Sequence, residues 1–177
     1  NNDNRLKLLS VGRITPAKNY EFLLDAAFQL KKKRGDNFML DIVGGPVTDE
    51  DFFYKKQLKK SIDEKKLKNN VKFLGPKTYA EMPDIYNSHD ILLHASETGS
   101  IDKTVLEAMA CGLPVITTSE AFHSLLAARY VVFDKNINVF AEKIAQMINH
   151  NKDASLRNIV LQNHNLNNLI DKILANL

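Results

Sequence analysis

The fold is decided by residues 6–43, which read LKLLSVGRITPAKNYEFLLDAAFQLKKKRGDNFMLDIV. The stretch opens with a short apolar run at Leu6–Val11 and closes with another at residues 39–43, and both have the length of a buried strand. Between them, residues 19–34 place apolar side chains at helical spacing, which predicts a helix with one buried face. A strand, a helix and a second strand in this order indicate a parallel pair joined by a crossover.

The same alternation continues along the chain and predicts one doubly wound α/β domain. Further strands are expected at residues 71–74, Ile91–His94, 114–117 and 130–133, further helices at 51–66, 79–87, 104–110 and 137–150, and two more helices at the end. The second helix should point Phe52, Leu58 and Ile62 inward. Alternating strands and helices form a Rossmann-like parallel sheet, here of about six strands, with helices on both faces. Ligands of such sheets bind at the carboxyl ends of the strands.

The composition fits one globular domain. The chain has 177 residues, 44% hydrophobic and 25% charged, which is neither a disordered nor a membrane composition. Lysines cluster at residues 31–34 and 55–72, but the formal charge is only +3. We interpret these clusters as solvated helix faces; attraction to nucleic acid or to an anionic membrane is the alternative. The single Cys111 allows no internal disulfide, which fits a reducing compartment such as the cytoplasm.

A candidate anion site follows the first strand. Gly12 allows a sharp turn of the backbone, and Arg13 and Lys18 bring two cations beside the start of the first helix. Two positive side chains and the N–H groups of a helix start favour a phosphate ligand. Either cation alone would be interpreted as an ordinary surface charge.

A second candidate site follows the strand Ile91–His94. Residues 96–102 form a small, polar loop, and the next helix begins near Lys103 and Thr104. Unpaired N–H groups in this first turn can face a pyrophosphate. Glu107 lies one turn later, and its carboxylate can accept hydrogen bonds from the two vicinal hydroxyls of a ribose. The alternative for Glu107 is an exposed helix carboxylate with no ligand.

Together these residues resemble a known enzyme family. VGR at residues 11–13 with Lys18 five positions on, and LEAMACGLPVI at residues 106–116, resemble the C-terminal domain of family 4, group 1 glycosyltransferases. That family has the GT-B architecture of two Rossmann-like domains. The resemblance implies that residues 1–177 are one nucleotide-sugar-binding domain, and that an N-terminal acceptor domain is missing from this chain. The polar start without an initiator Met agrees with further sequence upstream.

The resemblance also implies roles for individual residues. Arg13 and Lys18 would hold the donor's diphosphate, Glu107 would bind the ribose, and the three would form the catalytic group. The remaining donor-binding residues would lie before Arg13, in the loop after the third strand and at the start of the fourth helix: Gly12, Gly75, Pro76, Lys77, Gly99, Ser100, Ile101, Asp102, Lys103 and Thr104. The expected reaction is a retaining transfer of a hexose, favouring a UDP-sugar as donor, without metal or cofactor. We expect no binding to nucleic acid. We expect a weak peripheral contact of the full-length enzyme with a membrane.

One departure from the family pattern concerns the sugar. The family carries two glutamates eight positions apart, and the first of these falls on Gly99. Glu97 and Asp102 flank this position, and either is a candidate replacement. His94 could touch donor or acceptor, although a packed histidine is the plainer interpretation. Two further hypotheses stay open: a sugar-nucleotide epimerase of similar shape, and a binding module without catalysis, which the glycine at position 99 favours.

Overall fold

The computed structural model describes residues 5–147 and 152–163, and within them one parallel sheet carries helices on both faces. The strands are β1 (Leu6–Val11), β2 (Phe38–Val43), β3 (Val71–Gly75), β4 (Ile91–His94) and β5 (Val115–Thr117). The helices are α1 (Tyr20–Arg34), α2 (Asp49–Glu64), α3 (Met82–Asn87), α4 (Lys103–Ala110), α5 (Ile137–Gln146) and α6 (Ala154–Asn163). The prediction of a doubly wound, Rossmann-like domain is confirmed.

The order of the strands fixes where a ligand can enter. The sheet runs β3-β2-β1-β4-β5, so the chain first builds outward from β1 on one side and then crosses over to β4 on the other. Helix α1 packs against α5 and α2, while α4 packs against α6. The direction of winding reverses between β1 and β4, and open α/β sheets leave a crevice at that point, beyond the carboxyl ends of the strands.

The prediction of a sixth strand at residues 130–133 is wrong, because the described sheet has five. Val131 makes only an isolated bridge to Thr117 of β5. A 3-10 turn at Ala128–Tyr130 precedes this bridge, and Lys135, with φ of 49°, turns the chain soon after it. Val131 and Val132 are buried, so the apolar run reflects core packing rather than strand pairing.

Helix α2 begins two residues earlier than predicted, and its buried stripe differs. Thr48 caps its start and forms a capping box with Asp51. The buried side of the helix carries Asp51, Tyr54, Leu58 and Ile62. The expectation that Phe52 points inward is therefore wrong, and its side chain is 60% exposed.

The remaining helices follow the predicted pattern with shifted bounds. Thr78 and Glu81 form the expected capping box, but the segment divides into a 3-10 turn at Tyr79–Glu81 and the helix α3, which has Pro83 in its first turn. The end of the helix predicted at 137–150 and the last predicted helix lie outside the described residues. None of the described helices combines the length and apolar character that crossing a membrane requires.

Candidate functional site

A cleft of about 350 Å³ opens at the carboxyl end of the sheet. It is lined by the ends of β1 and β2 at residues 11–12 and 43–44, the turn at 76–77 after β3, Tyr79 and Met82 around the start of α3, and Glu107 of α4. These elements come from five separate parts of the sequence. The cleft lies where the order of the strands predicts a ligand site.

Two glycines allow the backbone to pack closely at the floor of the cleft. A Cβ atom on Gly44 would lie 2.0 Å from the carbonyl oxygen of Gly12. A Cβ atom on Gly12 would lie 3.0 Å from Cε of Lys18, so the lysine stem runs directly over this glycine. Tyr20 donates its hydroxyl hydrogen to the same Gly12 carbonyl over 3.0 Å. The turn after β1 is therefore fixed by contacts that a larger residue would disrupt.

Lys18 ends in a network of buried polar groups at the edge of the cleft. Its ammonium forms an ion pair with Asp102, which also accepts a hydrogen bond from Nε2 of His94 over 3.2 Å. Nδ1 of His94 lies 2.9 Å from the hydroxyl of Thr117, so the network places the ring hydrogen on Nε2. Burial raises the pKa of Asp102, but hydrogen bonds from His94 and Lys18 outweigh it and hold that pKa well below its usual range. Asp102 is therefore a carboxylate that fixes Lys18 in place.

Arg13 lies at the rim of this edge and not inside the cleft. Its Nε is 3.0 Å from Oδ2 of Asp51, the capping-box residue of α2, and half of the Arg13 side chain is exposed. Asp51 is almost fully buried, which raises its pKa, but backbone hydrogen bonds from Val47 and Thr48, helped by Arg13, give a net lowering. One guanidinium nitrogen is thus paired with Asp51, while half of the side chain stays in contact with solvent.

Glu107 faces the cleft with one oxygen already bonded. Its Oε2 accepts a hydrogen bond from the Tyr86 hydroxyl over 2.9 Å. Tyr86 is buried, and burial together with this bond to Glu107 raises the pKa of its hydroxyl. The bond sets the orientation of the carboxylate and leaves its Oε1 without a hydrogen bond to any residue that the structure describes.

The loop after β3 reaches the cleft as expected. Gly75 ends the strand with φ of 75° and accepts a hydrogen bond from Gly44 N–H over 2.9 Å. Pro76 and Lys77 line the cleft, and Lys77 pairs with Glu81 over 3.2 Å. Together with Tyr79, Pro76 and Lys77 form one wall of the cleft.

The loop before α4 differs from the expectation of free backbone donors. Asp102 caps the helix by accepting a bond from Thr104 N–H over 3.1 Å, and Val105 N–H is bonded to the Asp102 carbonyl. The expected unpaired N–H groups at these two positions are thus already in use. The ammonium of Lys103 lies over the ring of Tyr79, 5.5 Å from its centre, and Tyr79 lines the cleft.

The structure brings some of the sequence-predicted residues together and separates others. The cleft and its edge gather Gly12, Lys18, Gly75, Pro76, Lys77, Asp102, Lys103, Thr104 and Glu107. Arg13 stands at the rim. Gly99, Ser100 and Ile101 are exposed in the loop, and Gly99 lines a different, smaller cavity.

Sequence reasoning missed the partners Tyr86 and Asp51 and the wall residue Tyr79. Tyr86 lies 21 positions before Glu107, and Asp51 lies 38 positions after Arg13, with no motif joining either pair. Only the capping box of α2, readable as Thr48 followed three residues later by Asp51, could have flagged Asp51. In the described residues, no group of three or more His, Cys, Asp or Glu could hold a metal ion, and residues 49–51 form the first turn of α2.

Comparison with known proteins adds the family. The family described as "Glycosyl transferases group 1" matches residues 1–163 of this chain. Mannosylfructose-phosphate synthase from Agrobacterium fabrum is 29% identical over 129 residues, which are 71% of this chain and 28% of that enzyme. The chain thus spans less than a third of this curated relative.

Two solved structures share the fold. HepE from Anabaena, solved in complex with UDP, superposes with a TM-score of 0.84 at 24% identity, over 98% of this chain and 50% of that one. The C-terminal domain of the group 1 glycosyl transferase LpcC from Francisella tularensis superposes with a TM-score of 0.75 at 24% identity, over 91% of this chain and 87% of that one. The described part of the chain therefore has the fold of one such domain.

Proposed function

We propose that this chain, which belongs to the group 1 glycosyl transferases, is the donor-binding half of an enzyme that transfers a hexose from a nucleoside-diphosphate sugar to an acceptor. The observation that carries the proposal is the meeting of Lys18, Glu107 and the glycine-lined turn after β1 around one cleft. The acceptor would bind to a second domain on the far side of this cleft. The chain alone would supply the donor site.

The diphosphate would lie beside Gly12 and Lys18, with Arg13 at its outer edge. The stem of Lys18 runs directly over Gly12, where a larger residue would push it aside, and its ammonium is held beside the cleft by Asp102. Negative charge grows on the leaving diphosphate as the sugar bond breaks, and fixed cations stabilise that charge most effectively when they need not move. The anchoring of Lys18 by Asp102 and of Arg13 by Asp51 supports this role.

The nucleoside would occupy the other end of the cleft. The open Oε1 of Glu107 can accept a hydrogen bond from a ribose hydroxyl, since Tyr86 holds Oε2. Pro76, Lys77 and Tyr79 would border the base. We favour uridine because HepE, a fold neighbour, was solved with UDP.

The finer features of the reaction belong to the same proposal. Retention of the anomeric configuration and independence of a metal ion follow the family resemblance, and the two cations offer the positive charge that a metal would otherwise supply. The single cysteine fits a reducing, cytoplasmic compartment. A weak peripheral contact of the whole enzyme with a membrane stays a prediction.

Titration of the chain with UDP by calorimetry tests the donor site. We expect Arg13→Ala to weaken binding by about 1–3 kcal/mol, the scale of a hydrogen bond to a charged group. Arg129→Ala is the matched control, because Arg129 is an exposed arginine paired with Asp153 over 2.6 Å outside the cleft. Failure of the unaltered chain to bind any nucleoside diphosphate would contradict the proposal.

Sugar transfer by the full-length enzyme tests catalysis. We expect Glu107→Ala to abolish most of the transfer because the ribose loses its partner. Equal activity of the two forms would remove Glu107 from the site.

A second candidate function, binding without catalysis, is favoured by the glycine at position 99, where the family pattern has a carboxylate. Tight donor binding by the full-length enzyme, with neither transfer nor donor hydrolysis, would support that second function.

A further inference from the structure

His94 is a buried histidine beside the cleft to which the proposed function gives no role. It ends β4, its side chain is 5% exposed, and the ring of Phe122 packs edge-on against it with the ring centres 5.9 Å apart. Its Nε2 donates to Oδ2 of Asp102, the same oxygen that holds the ammonium of Lys18. A single carboxylate oxygen therefore joins the histidine to the lysine.

The other ring nitrogen faces a hydroxyl whose hydrogen can turn. Nδ1 of His94 lies 2.9 Å from Oγ1 of Thr117, which is fully buried. That oxygen also accepts a hydrogen bond from the N–H of Ser119 over 3.0 Å, which fixes its position and leaves one more lone pair. Thr117 can thus donate to Nδ1 of a neutral ring or accept from Nδ1–H of a charged ring. His94 can therefore gain a second proton without a shift of its neighbours.

Asp102 requires a counter-ion, because its side chain is only 9% exposed. In the described part of the chain, Lys18 and His94 are the groups within ion-pair distance of it. Tyr20 also titrates nearby, but burial and the charge of Asp102 raise the pKa of its hydroxyl, so Tyr20 stays neutral. While the His94 ring is neutral, Lys18 is therefore the only one of these side chains that brings positive charge to Asp102.

A diphosphate bound at Lys18 would change this balance of charge. The phosphates bring negative charge to an ammonium that already neutralises Asp102, and like charges at this short distance favour the uptake of a proton. Histidine is the side chain that most readily gains a proton near neutral pH. His94 is well placed to do so, because its Nε2 already contacts Asp102.

We propose that His94 is a positioning residue for the donor's diphosphate, and that it takes up a proton from solvent when the diphosphate binds. The charged ring becomes a second counter-ion of Asp102, so that Lys18 keeps its place while its charge acts on the phosphates. The proposal rests on the proposed function, since it concerns the same diphosphate. His94 touches no phosphate in this arrangement and acts through Asp102 and Lys18.

Calorimetry of UDP binding to two variants tests the positioning role. Glutamine can place its amide nitrogen where Nε2 of His94 lies, whereas the amide of asparagine reaches only the position of Nδ1. At pH 8 we expect His94→Gln to bind UDP within about twofold of the unaltered chain, and His94→Asn to bind about three- to tenfold more weakly, because Asp102 then loses a donor and draws more strongly on Lys18. Equal losses in the two variants would overturn the positioning role.

The same titrations at pH 7, in two buffers of different ionisation enthalpy, count the protons that binding takes up. The unaltered chain should take up at least about 0.3 proton more per UDP than His94→Gln, which cannot be protonated. The terminal phosphate of UDP also titrates near neutral pH, but the comparison cancels its contribution. The affinity advantage of the unaltered chain over His94→Gln should be largest at pH 6 and vanish toward pH 8, because the charged ring favours the bound state. Equal proton numbers would overturn the uptake at His94.

His89→Gln is the matched control for the proton count. His89 is also buried and paired with an aspartate, its Nε2 lying 3.3 Å from Oδ2 of Asp41, but neither residue lines the cleft. This variant should take up as many protons as the unaltered chain. Circular dichroism checks that each variant is folded, and if His94→Asn does not fold, the comparison with His94→Gln decides alone. If the unaltered chain does not bind UDP, the proposed function fails and this proposal fails with it.

Discussion

Lys18 and Arg13 are each held by a carboxylate before any ligand is present. Asp102 anchors Lys18 and Asp51 anchors Arg13, and both carboxylates are buried by the surrounding structure. A buried carboxylate that loses its cation is strongly disfavoured, so Asp102 keeps Lys18 in place. Arg13 is held less firmly, because half of its side chain is exposed and backbone hydrogen bonds already stabilise the Asp51 carboxylate. A diphosphate would therefore meet one cation whose position is already set and a second one at the rim.

Tyr86 provides a test of the ribose contact at Glu107. If the Tyr86 hydroxyl orients the carboxylate, Tyr86→Phe should weaken UDP binding about three- to tenfold, because a misoriented Glu107 forms a weaker hydrogen bond to the ribose. The same substitution should change the binding of 2′,3′-dideoxy-UDP little, because that nucleotide lacks the hydroxyls that would donate hydrogen bonds to Glu107. Calorimetry with the two nucleotides measures the difference.

A second tyrosine–carboxylate pair offers the control for this prediction. Tyr130 is buried and donates its hydroxyl hydrogen to Asp153 over 2.5 Å, outside the cleft. Tyr130→Phe should leave both nucleotide affinities unchanged. An equal loss for UDP and the dideoxy nucleotide in Tyr86→Phe would show that Tyr86 acts on the shape of the cleft and not on the ribose contact.

The sequence could predict the positions of the charged residues but not their partners. Gly12, Lys18 and Glu107 occur in recognisable local patterns; in the structure, Gly12 and Glu107 line one cleft and Lys18 lies at its edge. The pairs Arg13 with Asp51 and Glu107 with Tyr86 arise only when separate elements pack, so spacing along the chain contains no sign of them. For the same reason the expectation of free N–H groups at Thr104 failed, because Asp102 caps its own helix.

At the scale of elements, strands were predicted correctly where an apolar run is both buried and paired with a neighbouring strand. The strands β1 to β4 are apolar runs flanked on both sides by turn or helix signals, and each also pairs in the sheet. Residues 130–133 have the same apolar character but are buried without a ladder, since a 3-10 turn brings them to β5 at Val131 only. A short apolar run in the sequence therefore predicts that its residues are buried. Whether they also form a strand depends on the path of the chain before them.

The turn after β2 should be intolerant of any side chain at Gly44. This residue has φ of 129°, and a Cβ atom would lie 2.0 Å from the Gly12 carbonyl oxygen. We expect Gly44→Ala to reduce the free energy of unfolding by more than about 3 kcal/mol, since strain and a backbone clash add together. Urea unfolding followed by circular dichroism measures it.

A substitution at Gly35 separates the cost of backbone strain from the cost of the steric clash. This glycine also has positive φ, 62°, but nothing lies within 4 Å of its added Cβ atom. Gly35→Ala should therefore cost about 1–3 kcal/mol from backbone strain alone, because its ψ of −142° also lies outside the left-handed helical region. A similar cost at Gly44 would mean that β1 and β2 can separate locally without loss of the fold.

The start of α6 should make stability depend on pH. Hydrogen bonds from Ser155, then Tyr130 and Arg129, lower the pKa of Asp153 to about 2. A carboxyl with a depressed pKa in the folded state stabilises the fold above its unfolded pKa, near 4, and loses this contribution as the pH falls toward 2. We expect Asp153→Asn to be less stable by about 1 kcal/mol at pH 7, with the difference vanishing between pH 4 and pH 2.

Thermal unfolding at a series of pH values measures this effect. Asp84→Asn is the control, because Asp84 is an exposed acid in the first turn of α3. Its difference from the unaltered chain should stay small at every pH. A difference for Asp153→Asn that persists at pH 2 would assign the effect to lost packing and not to charge.

At the scale of the whole molecule, the crossing between β1 and β4 divides the ligand edge into two parts. The cleft with Glu107 lies on the side of β2 and β3, and the smaller cavity with Ser119 lies on the side of β5. Lys18 lies between them, because its stem crosses Gly12 at the cleft while its neighbour Ala17 accepts hydrogen bonds from Ser96 and Glu97 beside the smaller cavity. Under the proposed function, the nucleoside of the donor would occupy the cleft and its diphosphate would lie at the edge beside Lys18.

The same geometry predicts that the 177-residue chain binds the donor without transferring its sugar. The chain spans 28% of the Agrobacterium synthase and 50% of HepE, and under the proposed function the acceptor would bind to a second domain. Holding both reactants within about 3–3.5 Å supplies a large part of the rate, and this chain alone would then hold only the donor. We expect UDP binding by calorimetry, but transfer from a radiolabelled UDP-sugar at least a thousandfold below that of the full-length enzyme. Transfer by the 177-residue chain at a comparable rate would mean that the acceptor also binds here, which would move the reaction centre into the described domain.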